Sequence, residues 1–257
     1  MRMAAETVDV NGHRLGVRLS LAAPTASKEE PSAVVFVHGI GMSHRSFARI
    51  QRLVSRSLHT VSIDLPGFGG AASPHRRLGI RGNAAVVAAA LQRLGVGRCT
   101  VVGQSMGTQI AVELAHLRPE LVQSIVLIGP VVDDRRPTLA QQAAALLHDS
   151  LHEGLGMNAV AATDYLRSIP QFLRELRPML RYPTLRRVAE LAVRVLVVRG
   201  TRDPIARRDW AQRVMRAADR GALVEAAGPH HVQEHAPEDV AAAIVGFIPT
   251  HTQSETR

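Results

Sequence analysis

The chain of 257 residues has little cysteine, few aromatic residues and no long apolar segment. Its single cysteine, Cys99, excludes an internal disulfide bond and is most easily understood as a small core residue. Aromatic residues make up only 3% of the chain, so alanine, valine and leucine must form most of the core. No run approaches the ~18 apolar residues of a membrane span, and residues 1–7 lack the apolar region of a signal peptide. We therefore expect a cytoplasmic protein, monomeric or homodimeric, with no membrane partner.

Lysine is almost absent as well, since Lys28 is the only one in a chain with a net charge of +9. The excess of positive charge lies in the first half of the chain, as scattered arginines and pairs such as Arg76-Arg77. These residues form no stripe interleaved with aromatic side chains, which is the pattern typical of nucleic-acid binding. We interpret the charge as a solvated basic surface and expect no nucleic-acid partner.

Short apolar runs alternate with helical patterns along most of the chain. This alternation predicts an α/β fold, with a mostly parallel sheet and helices on both of its faces. An antiparallel hairpin about Asn11-Gly12 is predicted at the edge of the sheet. The eight predicted strands cover residues 7–10, 13–21, 33–37, 60–63, 99–102, 124–128, 194–198 and 222–226. Helices are predicted at residues 46–57, 79–94, 108–117, 207–218 and 237–247.

The alternation stops between residues 131 and 190, where only helical patterns occur. These patterns cover residues 139–151, 159–169, 172–180 and 185–191, and prolines at 170, 178 and 183 interrupt them. Because no buried strand is predicted here, we interpret residues 131–190 as a helical cap. It is inserted into a core domain of residues 1–130 and 191–248. Residues 249–257 are polar and are predicted to form a frayed tail.

The segment Gly103-Gln104-Ser105-Met106-Gly107 joins a predicted strand to a predicted helix. Gly-x-Ser-x-Gly in this position indicates a nucleophile elbow, a sharp turn that exposes the serine hydroxyl at the carboxyl edge of a sheet. The two glycines avoid collisions with the strand and the helix, and the start of the helix favours a developing negative charge near Ser105. The alternative interpretation is a glycine-rich turn with no chemical role.

An aspartate and two histidines follow later strands. Asp203 comes after the strand at 194–198, and His230-His231 comes after the strand at 222–226. A serine hydroxyl is a poor nucleophile unless a base takes its proton, and the base needs a third group to fix its tautomer. These residues are candidates for both roles, although an aspartate before a proline, as at Asp203-Pro204, is also common in turns.

Taken together, these segments resemble the α/β hydrolase superfamily, in its small, cap-bearing, esterase-like branch. The resemblance covers nearly the whole chain and implies the α/β-hydrolase fold with an inserted helical cap. Besides the elbow, it rests on Val37-His38-Gly39-Ile40-Gly41, Asp64-Leu65-Pro66-Gly67-Phe68-Gly69, Gly200-Thr201-Arg202-Asp203-Pro204, and His230 placed seven residues before Pro237.

The resemblance implies a catalytic role for three side chains: Ser105 as nucleophile, Asp203 as acid and His230 as base. Some members of the family carry the acid after the preceding strand, so Asp133 and Asp134 are alternatives to Asp203. The spacing from His230 to Pro237 favours His230 over the adjacent His231 as base.

The resemblance also implies an oxyanion hole formed by two backbone N–H groups, those of Ile40 and Met106. Asp64 follows a strand, which is a position that catalytic residues often take, but similar sequences use it in a structural turn.

A serine hydrolase with these residues would cleave a carboxylic ester or a lactone through an acyl-serine intermediate, with no cofactor. The same fold also supports hydrolysis of the carbon–carbon bond of a vinylogous diketone, thioester hydrolysis, and small-molecule receptors that turn nothing over. A small apolar ester, lactone or related carbonyl compound is the expected substrate. The candidate pocket residues are His38, Gly39, Met42, Met157, Tyr165, Phe172 and Met179. The twelve histidines show no metal-ligand spacing, so we expect no metal.

Overall fold

The computed structural model describes residues 4–10, 12–20, 33–135 and 155–248. The strands are β1 (Ala4–Val10), β2 (His13–Ser20), β3 (Ala33–Val37), β4 (Thr60–Asp64), β5 (Cys99–Gln104), β6 (Val122–Ile128), β7 (Arg194–Gly200) and β8 (Gly221–Ala226). The helices are α1 (Ala48–Val54), α2 (Gly79–Arg93), α3 (Met106–Leu117), α4 (Leu155–Leu180), α5 (Thr184–Ala189), α6 (Arg208–Ala217), α7 (Val232–His235) and α8 (Pro237–Phe247). A 3-10 helix, His44–Phe47, precedes α1.

All eight strands belong to one sheet, in the order β1-β2-β4-β3-β5-β6-β7-β8. Strand β2 is antiparallel to both β1 and β4, and the remaining neighbours are parallel. The mostly parallel, eight-stranded sheet predicted from the sequence is therefore confirmed. It carries the antiparallel hairpin at its edge.

The central strands β3, β4, β5 and β6 are buried along almost their whole length, because both faces of the sheet are covered. In β3, Val35 and Val37 face one apolar cluster, and Val34 and Phe36 face the other. Helices α2, α3 and α6 pack in the first cluster, and helices α1 and α8 pack in the second. Because β3, β5, β6, β7 and β8 are parallel, their carboxyl ends lie at the same edge of the sheet.

Between β6 and β7, the described residues from 155 onward form helices α4 and α5. The prediction of separate helices at 159–169 and 172–180 is wrong, because α4 continues through Pro170. A proline leaves the carbonyl of the residue four positions earlier without its helical donor, here the carbonyl of Leu166. Leu166 is 72% exposed, so water can reach that carbonyl. On the inner side of the same helix, Asp164 and Gln171 are buried and bonded to other groups.

Other boundaries differ in smaller ways. The helix predicted at 46–57 begins as the 3-10 helix and ends at Val54. The short helix α7 was not predicted. The helix predicted at 139–151 and the tail at 249–257 lie outside the described residues. In the parts of the chain that the structure describes, no helix is both long enough and apolar enough to cross a membrane.

The core of the sheet gives a direct test of packing. Phe36 is 0% exposed and its ring centroid lies 5.1 Å from that of Phe47. We expect Phe36→Ala to lower the free energy of unfolding by about 3–5 kcal/mol, because it leaves a cavity in the middle of the sheet. Chemical denaturation followed by circular dichroism measures the change. Leu173→Ala on the 63% exposed Leu173 is the control and should change little. Equal losses in the two variants would contradict this account of the core.

Candidate active site

Ser105 lies in a sharp turn between β5 and α3, with φ 53° and ψ −120°. Among the described residues it is the only non-glycine residue with a positive φ. Such a conformation costs about 1–3 kcal/mol and persists where surrounding contacts hold it. The Ser105 N–H donates to the carbonyl of Ile128 at 2.9 Å. Its carbonyl accepts from the N–H of Thr108 at 3.0 Å and from the Thr108 hydroxyl at 2.6 Å.

The glycines on either side of Ser105 allow three backbone segments to meet. A methyl group on Gly103 would lie 2.1 Å from the carbonyl oxygen of Gly107, and one on Gly107 would lie 2.1 Å from the carbonyl oxygen of Val37. Both distances are far below van der Waals contact. The turn that carries Ser105 therefore requires glycine at both positions.

His230 and Asp203 form a buried pair at the same edge of the sheet. Asp203 follows β7 and His230 follows β8. The Nδ1 of His230 lies 2.8 Å from Oδ2 of Asp203, and the two residues are 1% and 4% exposed. Oδ1 of Asp203 accepts from the N–H groups of Ile205 and Ala206, each at 2.8 Å. These hydrogen bonds favour the ionised form of the Asp203 carboxyl. Nδ1 of His230 therefore carries a proton and donates to Oδ2.

The pKa of the Asp203 carboxyl lies below its usual range. Burial alone would raise that pKa, but the charge and hydrogen bond of His230 and the two backbone N–H donors outweigh it. The pKa of an aspartate in an unfolded chain is about 3.9. Because the pKa of Asp203 is lower than this in the folded protein, its ionised carboxylate stabilises the fold at pH values above about 3.9. That contribution is lost as the pH falls through the folded value.

Ser105 and His230 both border one cavity of about 120 Å³. Asp203 lies behind His230 and does not border it. The remaining lining comes from the loops after β3, β6 and β8, the loop before α6, the end of β5, and helix α4. It consists of Gly39, Ile40, Met42, Gln104, Val131, Tyr165, Phe172, Leu176, Met179, Ile205 and His231.

Most of the predicted pocket residues line this cavity. Gly39, Met42, Tyr165, Phe172 and Met179 border it. The side chain of Met157 lies outside the described residues.

His38 does not border this cavity. His38 is 0% exposed, and its Nδ1 donates to the carbonyl of Gly39 at 2.7 Å. Its Nε2 accepts from the N–H of Leu65 at 3.0 Å, so the ring is neutral and joins two loops. Burial lowers the pKa of His38, which agrees with the neutral form.

The two predicted sources of oxyanion-hole donors belong to different segments of the chain. Ile40 borders the cavity from the loop after β3. Met106 is the first residue of α3, and the N–H groups of a first helical turn have no acceptor within their own helix. The side chain of Met106 is 0% exposed and packs in the core.

The other acids that the sequence offered lie away from the cavity lining. Asp133 and Asp134 both pair with Arg213. Asp64 accepts from the N–H of His44 at 2.7 Å and lies 2.9 Å from Nδ1 of the same residue. It therefore holds the loop after β3 in place. His231 does border the cavity, with its ring centroid 5.5 Å from that of His230.

Residues 34–243 of this chain match the model of the alpha/beta hydrolase family. The chain belongs to that family. The 2-hydroxy-6-oxononadienedioate/2-hydroxy-6-oxononatrienedioate hydrolase of Burkholderia vietnamiensis is 37% identical over 104 residues, which are 38% of this chain and 35% of that protein. In several curated relatives, the matched segment spans between 33% and 47% of the relative's own length.

Solved structures of other hydrolases share the fold of this chain. The enol-lactonase of Burkholderia xenovorans LB400 has a TM-score of 0.79 at 17% identity and covers 94% of this chain and 99% of its own. An N-acyl homoserine lactonase mutant, complexed with N-hexanoyl homoserine, has a TM-score of 0.78 at 19% identity and full coverage of both chains.

Several features of this α/β hydrolase were not found from its sequence. Val131, Leu176 and Ile205 border the cavity, but nothing in their sequence context marks them. Gly129, which directly follows β6, is not among the site residues that the sequence predicts. A methyl group there would lie 2.8 Å from Cε1 of His230 and 3.4 Å from Oδ2 of Asp203, so this glycine makes room for the pair. The signal was a glycine directly after β6.

In the parts of the chain that are described, no three histidine, cysteine, aspartate or glutamate side chains cluster as metal ligands would. Cys99 is buried, and burial raises the pKa of its thiol to about 12, so it is inert as a nucleophile.

The close contacts of the elbow give a paired test. We expect Gly107→Ala to lower the free energy of unfolding by several kcal/mol or to abolish reaction of Ser105 with a fluorophosphonate probe, because its methyl group would overlap the Val37 carbonyl. Gly246→Ala in α8 is the matched control, since nothing lies within 4 Å of its added methyl group. That variant should gain about 0.5–1 kcal/mol. Normal stability and labelling of Gly107→Ala would contradict the close approach.

Proposed function

We propose that this chain is a serine hydrolase that cleaves a carboxylic ester or a lactone. The observation that carries the proposal is the arrangement of Ser105 and His230 around one cavity. Nδ1 of His230 is hydrogen-bonded to the buried, ionised Asp203, which leaves Nε2 as the ring nitrogen that can act as base. A nucleophile, a base and a group that orients the base are the parts needed for acyl transfer.

In the proposed reaction, the Ser105 hydroxyl attacks the substrate carbonyl while Nε2 of His230 takes its proton. The backbone N–H groups of Ile40 and Met106 stabilise the resulting oxyanion. The protonated His230 then gives its proton to the leaving oxygen as the carbon–oxygen bond breaks. Water activated by His230 hydrolyses the acyl-serine and releases the acid. Asp203 keeps the proton on Nδ1 throughout, and no cofactor takes part.

The cavity supports a small, largely apolar substrate. Its volume is about 120 Å³, and its walls include Ile40, Met42, Phe172 and Met179. We propose that residues 131–190 form a cap over the core, because Tyr165, Phe172, Leu176 and Met179 of α4 supply one wall. The lactonase names among the structural neighbours agree with a lactone as one substrate class.

A carbon–carbon bond hydrolase is the second candidate. The observation that favours it is the 37% identity to the Burkholderia vietnamiensis hydrolase, although the match spans only 35% of that protein. The same Ser105 and His230 would be required.

A fluorophosphonate probe tests the nucleophile. We expect it to label the wild-type chain and not Ser105→Ala. Turnover of p-nitrophenyl esters and γ-lactones should fall by about 10⁶-fold in that variant. Ser57→Ala removes an exposed serine and is the control. Thioesters and a vinylogous diketone complete the panel, and preferential cleavage of the diketone would favour the second candidate. Binding of all these compounds without turnover would contradict an enzyme.

A second pair of variants tests the acid. We expect Asp203→Asn to lower kcat by about 10⁴-fold, because the Nδ1–H of His230 loses its carboxylate. Asp133→Asn should leave kcat near that of the wild type, since Asp133 pairs with Arg213 away from His230. Steady-state kinetics on the best ester, with circular dichroism to verify folding, gives the comparison. A collapse of kcat in Asp133→Asn alone would reassign the acid.

A further inference from the structure

Helix α4 is hydrogen-bonded to the segment that follows Ile40. Asp164 of α4 is 3% exposed, and Ser43 in the loop after β3 is 0% exposed. The Ser43 hydroxyl donates to Oδ2 of Asp164 at 2.5 Å, although Asp164 lies 121 positions further along the chain. Nη1 of Arg45 donates to Oδ1 of the same carboxylate at 3.0 Å. Both oxygens of Asp164 therefore bond to residues that lie three to five positions after Ile40.

Two further residues of α4 contact the same loop at Gly41, directly after Ile40. A methyl group on Gly41 would lie 2.1 Å from Cε1 of Tyr165, so the ring lies against the backbone of this glycine. The φ of Gly41 is +78°, a conformation that suits glycine. The hydroxyl oxygen of Ser168 lies 3.4 Å from the Gly41 carbonyl oxygen. Helix α4 thus borders the backbone beside the Ile40 N–H.

The core of the protein bonds the loop after β3 at its two ends. The His38 ring donates to the carbonyl of Gly39 at 2.7 Å, and Asp64 accepts from the N–H of His44 at 2.7 Å. Between these ends, Asp164 accepts from Ser43. The position of the middle of the loop therefore depends on α4 as well as on the sheet.

A buried carboxylate such as Asp164 is costly unless it is bonded, and even a bonded one adds little net stability to a fold. What the two bonds of Asp164 do provide is a defined position for the loop. An oxyanion hole needs such a position, because its donors stabilise charge only when they lie about 3 Å from the developing oxyanion. A displacement of about 1 Å in a catalytic arrangement can cost about 10²-fold in rate.

We propose that Asp164 is a positioning residue for the oxyanion hole. By bonding Ser43 and Arg45, its carboxylate holds the loop after β3 where the Ile40 N–H meets the developing oxyanion. Asp164 does not border the cavity, so it acts through Ile40 and touches no substrate. This inference rests on the proposed function, because it requires a reaction in which the Ile40 N–H stabilises an oxyanion.

Asp164→Ala and Ser43→Ala test the proposal in the full chain, because each removes one side of the same hydrogen bond. With phenyl butyrate as substrate, we expect kcat to fall by about tenfold or more in each variant, since one oxyanion-hole donor is worth about 10²–10³-fold. KM should change by less than about threefold, because the interaction is made in the transition state. The double variant should lose no more than Asp164→Ala, since the two side chains share one bond.

O-phenyl thionobutyrate provides a readout that a general loss of structure would not move. In this compound sulfur replaces the carbonyl oxygen, and sulfur is a weak hydrogen-bond acceptor. The ratio of kcat/KM for the ester to kcat/KM for the thionoester therefore reports on the oxyanion-hole donors. We expect this ratio to fall by about tenfold in both Asp164→Ala and Ser43→Ala.

Glu175→Ala is the matched control. Glu175 is also a buried carboxylate of α4, but it accepts from Gln171 and from the N–H of Gly79 at the start of α2. Its substitution weakens the attachment of α4 without touching the loop after β3, so the ester-to-thionoester ratio should stay at the wild-type value. Circular dichroism verifies the folding of each variant. If Asp164→Ala does not fold, the comparison of Ser43→Ala with Glu175→Ala decides the question.

The outcomes separate this proposal from the proposed function. If the fluorophosphonate probe labels Ser105 and the wild type cleaves the ester, but both loop variants keep the wild-type kcat and ratio, the role of Asp164 is wrong and the hydrolase stands. An equal fall of the ratio in Glu175→Ala also overturns that role, because any loosening of α4 would then have the same effect. If Ser105 is not labelled and no ester is cleaved, both proposals fail.

Discussion

The close approach of α3 to β3 is the constraint on which the site depends. Gly107 contacts the carbonyl of Val37 so closely that no side chain fits between them, and Gly103 contacts Gly107 in the same way. The chain must therefore leave β5 through a turn that places Ser105 at a positive φ. The N–H of Ser105 is bonded to β6 through Ile128, so the turn is held from both sides. A serine fixed in this way keeps its position when a substrate arrives, because its support is sheet and helix.

The buried pair of His230 and Asp203 follows from the same edge of the sheet. Burying a carboxylate beside an imidazole adds little net stability to the fold, so stability alone does not account for the pair. Its surroundings are nevertheless built for it. Asp203 has both oxygens bonded, and Gly129 leaves the space that the His230 ring occupies. The free energy spent on burying this pair is understandable if the imidazole must keep one tautomer and one orientation.

Local patterns in the sequence predicted most of the sheet. A run such as residues 33–37 is apolar at every position because both faces of β3 are covered, and this can be read without knowing what covers them. The elbow could also be predicted, because the two glycines that its close contacts require, Gly103 and Gly107, lie beside Ser105 in the sequence. Asp203 and His230 could be placed only at the ends of strands. Their contact across 27 positions depends on the order of β7 and β8 in the sheet.

The cavity wall could not be predicted in the same way. The inference that His38 lines the pocket came from its position in the loop after β3, but the bonds of its ring run to Gly39 and Leu65. Val131, Leu176 and Ile205 meet at the cavity from three distant parts of the chain, and no local pattern records such a meeting. Helix α4 likewise continues through Pro170, since its buried contacts outweigh one missing hydrogen bond.

Those buried contacts bear on what the site can accept. Near one end of the described wall, Asp164 of α4 accepts from the hydroxyl of Ser43 at 2.5 Å and pairs with Arg45. Further along, Glu175 accepts from Gln171 at 3.1 Å and from the N–H of Gly79, at the start of α2. Glu175 is 0% exposed, and this burial raises the pKa of its carboxyl. Because helix α4 is bonded to the rest of the chain at these two points, its distance from Ser105 is fixed. Selection among substrates should then depend on the shape of a fixed cavity and on the polar atoms within it.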